Sequence, residues 1–264
     1  MSRQNYYAQR RRREREQVDG GLIEQLVQRE RKVQPRLGGR KLHHILGKEL
    51  AQAGVELGRD RFFKVLEERN LLLEPQPAEY PCTTHSQHYL PVFANKIKDL
   101  ELTGANQVWV SDITYLRTDE GFLYLALTTD KWSRKIVGEH CGDSLEVEGC
   151  LSALEMSLRE LPKEARPIHH SDRGSQYCSH LYVERLAERQ LGVSMTEQDH
   201  CAENALAERL NGILKQEYGL GRKFPTKAVA LQAVAQAIWL YNHRRPHTAL
   251  GLQVPEEVHR LGLN

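Results

Sequence analysis

Apolar positions recur in two different rhythms along this chain, helical in its first quarter and strand-like after residue 104. Between residues 19 and 33, Leu22, Ile23, Leu26 and Val27 share one face at helical spacing. Pro35 and the Gly38-Gly39 pair interrupt that pattern. It resumes from Arg40 to Ala53 with Leu42, Ile45, Leu46 and Leu50 on the apolar side, and Gly54 closes it. Asp60 to Asn70 reads as a third helix, burying Phe62, Phe63 and Leu66. Two short helices joined by a glycine-containing turn fit a helix-turn-helix, and they fit plain helical packing as well. From Glu74 to Thr103 the periodicity fades under Pro75, Pro77, Pro81 and Pro91, as in a linker.

Beyond the linker the period shortens. Gln107 to Thr118 alternates, with Val108, Val110, Asp112, Thr114 and Leu116 on one face. Gly121 to Thr129 is a nearly continuous apolar run, expected of a strand covered on both sides, and Ile136 to His140 makes a third strand. A helix (144–161), a short strand (167–170), a helix (179–189), a strand (193–196) and a long helix (202–218) come next. Three consecutive strands and then alternating helices and strands predict an α/β fold. Its order matches a ribonuclease-H-like mixed sheet with flanking helices, preceded by a small all-α helix-turn-helix region. The expected organisation is a basic arm (1–18), a helix-turn-helix-like DNA-binding region (19–75), a linker (76–103), and a core with a C-terminal helical tail (104–264).

A formal net charge of +2 is uninformative, but its distribution is not. Residues 1–75 hold 17 Lys and Arg against 11 Asp and Glu. The densest stretch is Arg10, Arg11, Arg12 and Arg13, which reads either as a solvated tail or as a phosphate-binding arm. Arg59, Arg61 and Lys64 would be the exposed basic side chains near the second helix of the turn motif. No apolar run approaches the roughly 18 residues a membrane span needs. No apolar stretch succeeds the N-terminal charges, which argues against a signal peptide. Five cysteines with no closely spaced pair fit reduced thiols, so a cytoplasmic protein is expected. Cys82, His85 and His88 offer three zinc ligands without a fourth, a poor metal signal.

Three acids carry the chemistry. Asp112 lies on an otherwise apolar strand face, a costly position unless the carboxylate is paired or binds a metal. Asp172 comes just after the short strand, where Gly174 allows a sharp turn. Ligands of open α/β sheets gather at such strand ends. Asn204, Glu208, Asn211 and Lys215 form one column on the long helix, opposite Leu206, Leu210 and Ile213. Glu203 is a competitor to Glu208 but points away from that column. Each acid taken singly reads as a turn residue, a cap or a solvated face.

Together, Trp109-Val110-Ser111-Asp112-Ile113-Thr114-Tyr115, His170-Ser171-Asp172-Arg173-Gly174 and Asn204-Ala205-Leu206-Ala207-Glu208 resemble the three acidic motifs of the DDE transposases. The likeness is strongest to the second reading frame of bacterial insertion sequences with two overlapping frames, relatives of the retroviral integrases. Thirty-five residues separate Asp172 from Glu208, which is that group's spacing. Lys215 falls where the group carries a basic residue that holds DNA. Tyr241-Asn242-His243-Arg244-Arg245-Pro246-His247 is similar to a C-terminal signature of the same proteins. The integrases' zinc-binding His/Cys module has no counterpart here.

The resemblance implies Asp112, Asp172 and Glu208 as catalytic residues and as ligands of two Mg2+ ions, with Mn2+ able to substitute. Metal-dependent cutting and rejoining of double-stranded DNA would result. Lys215, Arg173, Asn204, Asn211 and the basic N-terminal residues would contact DNA. A homo-oligomer on DNA and the product of an upstream overlapping frame are the expected partners. His169 and His170 would contact DNA, tune the site or simply pack. A nuclease acting on RNA–DNA hybrids, or a DNA-binding protein with an inactive core, are the competing readings.

Overall fold

Helix α1 spans Arg3–Val33, although apolar spacing predicts a helix only from residue 19. Residues 3–18 contain no glycine or proline and are rich in Arg, Gln and Glu, which propagate a helix without an apolar face. The computed structural model describes residues 3–74, 89–197 and 203–263; the side chains of Arg10 to Arg13 lie outside the described set. Cys82, His85 and His88 also lie outside it. By its contacts the chain divides into two units, Met1–Pro77 and Ala78–Asn264.

In the first unit, α1 is followed by α2 (Gly39–Gln52) and α3 (Arg59–Glu68). Leu42, Leu46 and Leu50 of α2 and Phe62 and Leu66 of α3 pack with Ile23, Leu26 and Val27. Gly54 takes φ +78°, and its N–H donates to the Ala51 carbonyl while Val55 N–H donates to that of Leu50. That left-handed cap satisfies carbonyls the helix end would leave unpaired. At Gly39 a Cβ would lie 2.9 Å from the Phe63 ring, so the glycine permits the close approach of α2 to α3.

The second unit is a six-stranded sheet of β1 (Val108–Thr118), β2 (Gly121–Asp130), β3 (Ile136–Gly142), β4 (Ile168–Ser171), β5 (Gly192–Met195) and β6 (Lys223–Phe224). The order is β3-β2-β1-β4-β5, with β6 also on β1. The first three strands form an antiparallel meander, and β4, β5 and β6 join in parallel. The connecting helices are α4 (Val147–Arg159), α5 (Ser175–Cys178), α6 (His180–Glu188), α7 (Ala205–Glu217), α8 (Lys227–His243) and α9 (Pro255–Leu261).

Both sheet faces are covered. Leu116, Leu123, Leu125 and Leu127 pack on Leu210, Ile213 and Leu214 of α7 and on Val234, Ile238 and Tyr241 of α8. Trp109 and Ala126 pack against Ala153, Leu154 and Leu158 of α4 and Tyr182 and Leu186 of α6. This double cover accounts for the unbroken apolar run in β2.

The edge of β1 is only partly paired. Strand β4 joins it at Val108–Val110 alone, and β6 at Arg117–Thr118 alone. Between them, among the described residues, residues 111–116 have no strand along that edge, and α7 lies there instead.

Candidate active site

Asp112 falls in that gap. Its Oδ1 accepts the Ile113 N–H at 2.9 Å and its Oδ2 accepts the Asn211 side-chain amide at 2.8 Å. Burial, then the charge of Asp172, and to a lesser extent that of Glu208, push its carboxyl up to about 7. Asp172 sits just past the end of β4, its Oδ1 accepting the Gly174 N–H at 2.9 Å. A Cβ on Gly174 would lie 3.0 Å from that oxygen, so the glycine keeps the turn tight. Glu208 is exposed in the first turn of α7, where a carboxylate complements the helix dipole.

The polar column of α7 lies along β1. Asn204 donates to the Ser111 carbonyl at 3.3 Å, Asn211 to Asp112, and the Lys215 ammonium sits 4.6 Å from the centroid of the Tyr115 ring. Burial lowers the pKa of Lys215, opposed by the attraction of Asp112. The expectation that Asn204 and Asn211 face DNA is corrected here: both side chains are buried against the strand, because the gap in β1 leaves backbone and carboxylate groups in need of partners. Their carbonyl oxygens are buried without a hydrogen-bond partner among the described residues.

Among the described residues no three His, Cys, Asp or Glu side chains close into a metal cage. The three acids are near enough for Asp112 to respond to the other two and remain open toward solvent at Glu208. Carboxylates and amide oxygens, with no thiolate or imidazole among them, are donors suited to a hard divalent cation.

The remaining candidates separate clearly. His169 is buried, with Nε2 within 2.9 Å of both the Ser111 and Tyr182 hydroxyls; burial and the neighbouring His170 hold its pKa down to about 3. His170 is buried beside the Ser194 hydroxyl at 2.9 Å, its pKa lowered to about 4 by burial and by Lys131. Both are buried and hydrogen-bonded inside the sheet unit. The Arg173 Nε donates to the Thr196 carbonyl at 2.6 Å, tying the turn after β4 to the end of β5. Glu203 accepts from the Asn95 amide at 2.9 Å and from the Glu197 N–H at 2.5 Å, a structural clasp before α7. On α3, Arg59 pairs with Asp60 at 2.9 Å and Lys64 with Glu68 at 3.8 Å. Arg61 is exposed and also engaged.

Sequence reasoning missed several residues. Tyr115 carries Lys215, and its place three residues after Asp112 in the first motif is the one available hint. The C-terminal signature proves structural: Asn242 receives the Ile136 N–H at 3.0 Å and donates to the Ile136 carbonyl at 2.9 Å. Arg245 makes a two-pronged pair with Glu217 on the last turn of α7, at 2.9 and 2.8 Å. Buried Ser133 bonds to Asp130 at 2.7 Å and to His259 at 2.9 Å, fastening α9 to the end of β2. No local signal marks partners this distant in sequence.

An integrase core domain model matches residues 103–201 and a second one residues 189–255. The 31 kDa protein of insertion element IS600 from Shigella sonnei is 39% identical over 207 residues, covering 77% of this chain and 75% of that protein. The transposase InsF for insertion sequence IS3A from Escherichia coli (strain K12) is 36% identical over 181 residues, covering 68% of this chain. The chain spans 63% of InsF's own length. A chain in the intasome of simian T-cell lymphotropic virus, solved in complex with a PP2A regulatory subunit, shares the fold with a TM-score of 0.51. It is 18% identical, and the match covers 84% of this chain and 74% of that one. No helix among the described residues is long and apolar enough to cross a membrane. The chain belongs to the integrase-core transposases of bacterial insertion sequences of the IS3 and IS600 kind.

Proposed function

We propose that this chain cuts and rejoins DNA strands during movement of an insertion sequence, with Asp112, Asp172 and Glu208 holding two divalent cations. The carrying observation is the gap in β1, where Asn211 of the helix that bears Glu208 holds Asp112 beside the strand β4 that leads to Asp172. The charges of both other acids raise the Asp112 pKa. Bound Mg2+, or Mn2+ in its place, would neutralise phosphate charge and activate the attacking oxygen. The protein's own part is positional. Asn211 and the Ile113 N–H each hold one oxygen of Asp112, which fixes the carboxylate that would help to hold the cations. Lys215, propped on Tyr115, presents a partly desolvated positive charge to a backbone phosphate.

Double-stranded DNA is the substrate: water would first attack a phosphodiester and break its P–O3′ bond, leaving a 3′-OH and a 5′-phosphate. That 3′-OH would then attack a second phosphodiester, forming a new P–O bond as that site's own 3′ oxygen leaves. A homo-oligomer on the DNA and the product of an upstream overlapping frame complete the expected assembly, in the bacterial cytoplasm.

The test is a cleavage and strand-transfer assay on labelled duplex with Mg2+. Glu208→Gln loses both activities, since a neutral amide holds a hard cation less well than a carboxylate. Glu203→Gln keeps both. Binding is read independently of activity: Mg2+ or Mn2+ raises the melting temperature of the wild type but not of Asp112→Asn. A chain that cuts without joining is a nuclease instead. One in which Glu203→Gln is dead and Glu208→Gln active reverses the assignment.

A further inference from the structure

We infer that the helical unit meets the DNA backbone along α2, through Arg40, His44 and Lys48 with the bare backbone of Gly47 among them, and not along α3. This rests on the DNA-processing function proposed for the chain and adds the surface that carries it.

Arg40, His44 and Lys48 are spaced i, i+4, i+8 and form one exposed stripe, away from the buried Leu42, Leu46 and Leu50. None of the three has an ion pair or side-chain hydrogen bond among the described residues. The acid on α2, Glu49, is held by Arg29 of α1 in a two-pronged pair at 2.8 and 2.6 Å.

Helix α3 differs. Its Arg59, Arg61 and Lys64 are matched by Asp60, Glu67 and Glu68, so its formal charge is zero. The exposed pairs on α3 are easily broken, so pairing alone decides little. Net charge decides more: Arg40, Lys41 and Lys48 against Glu49 leave α2 with a formal charge of +2. A polyanion is drawn to that excess.

Gly47 supplies the independent argument. Glycine inside a helix is destabilising relative to alanine and usually has a packing reason. Gly39 has one, in the Phe63 ring. Among the described residues, a Cβ at Gly47 would meet nothing within 4 Å, so none of those neighbours requires the glycine. It sits three residues after His44 and one before Lys48, on the stripe itself. A missing side chain there lets a phosphate backbone approach the helix closely, as glycine does at ligand-facing backbone elsewhere.

The experiment titrates the full-length chain against a fluorescent mixed-sequence DNA duplex at several salt concentrations, with melting curves for each variant. Arg40→Gln/Lys48→Gln should lower the slope of log affinity against log salt by about two. Arg59→Gln/Lys64→Gln should leave it unchanged. Gly47→Ala should raise the melting temperature yet weaken duplex binding severalfold, a split no purely structural role produces. A slope lowered by the α3 pair and untouched by the α2 pair overturns the assignment, as does Gly47→Ala with unaltered affinity. Those results leave the catalytic reading intact. A wild-type chain that binds no duplex at all removes both.

Discussion

The two units of this transposase bury very different things. In the helical unit the buried charged or amide side chains among the described residues are Glu30 and Gln34, which bond to each other at 3.0 Å. The sheet unit buries Asp130, Ser133, His169, His170, Asn204, Asn211, Asn242, Arg245 and His259. A nearly all-apolar core is held by packing and tolerates change on its surface. A core threaded with polar groups gives up stability to place those groups, and every one needs its partner. The first arrangement suits a unit that presents a surface, the second one that must hold carboxylates and a lysine in register.

The sharpest test of that contrast is Asp112→Asn. Strand transfer should fall by about a thousandfold or more, the several kcal/mol expected when metal-assisted charge stabilisation is lost. Stability should move the other way. The folded carboxyl holds its proton up to about pH 7, while its ordinary value is 3.8, so wild-type stability is eroded as pH rises from about 4 to 7. In metal-free buffer the variant should therefore melt higher than wild type at pH ~8 and close to it at pH ~3.5. Identical melting at both values would show that Asp112 is not strained by its surroundings.

Acid should next expose the two buried histidines. Their pKa values of about 3 and 4 lie below the ordinary 6.5, so their contribution is complete above 6.5 and is lost as pH falls toward 3. All three tryptophans, Trp109, Trp132 and Trp239, lie in the sheet unit. Their emission should report cooperative loss of that unit as pH drops below about 5. Unchanged emission down to pH ~3 would show that the histidines do not set its acid limit.

In the helical unit the large effect should come from a plain cavity. Leu46→Ala, at a side chain 1% exposed, should cost about 3 kcal/mol in urea unfolding. A loss below about 1 kcal/mol would mean that the unit is not held by this packing.

The smallest effect expected is at Lys215. Lys215→Ala should need about tenfold more duplex for the same strand-transfer rate, roughly the 1.4 kcal/mol of one phosphate contact. Tyr115→Leu should copy part of this loss and Tyr115→Phe little of it, because the ring face holds the ammonium. Equal behaviour of the two Tyr115 variants would disconnect Tyr115 from Lys215.

The difference between the units also explains what the sequence makes legible. Helices α2 and α3 can be read directly from Leu42, Leu46, Leu50, Phe62 and Leu66, since apolar spacing is all that defines them. Strands β1 to β5 are visible for the same reason. The first half of α1 is not, because it is helical by propensity with no apolar stripe. Helix α8 is hard to read too: it carries no charge between Lys227 and His243 and shows no polar stripe to set its period. The three acids stand out through motif and spacing. The inward turn of Asn204 and Asn211 does not, since the column they share with Glu208 looks the same whether it faces solvent or a gap in a strand. Paired long-range groups such as Arg245 with Glu217 are invisible until the chain has folded.

Asn242 has a consequence for the protein in a crowded cell. Strand β3 is an outer strand of the sheet, and an outer strand offers unpaired N–H and carbonyl groups to any extended chain that drifts by. The side-chain amide of Asn242 occupies both groups of Ile136 and so mimics one residue of a neighbouring strand. It shields the start of that margin against edge-to-edge pairing with another molecule. The consequence concerns how one molecule meets another, and not the reaction that each one performs.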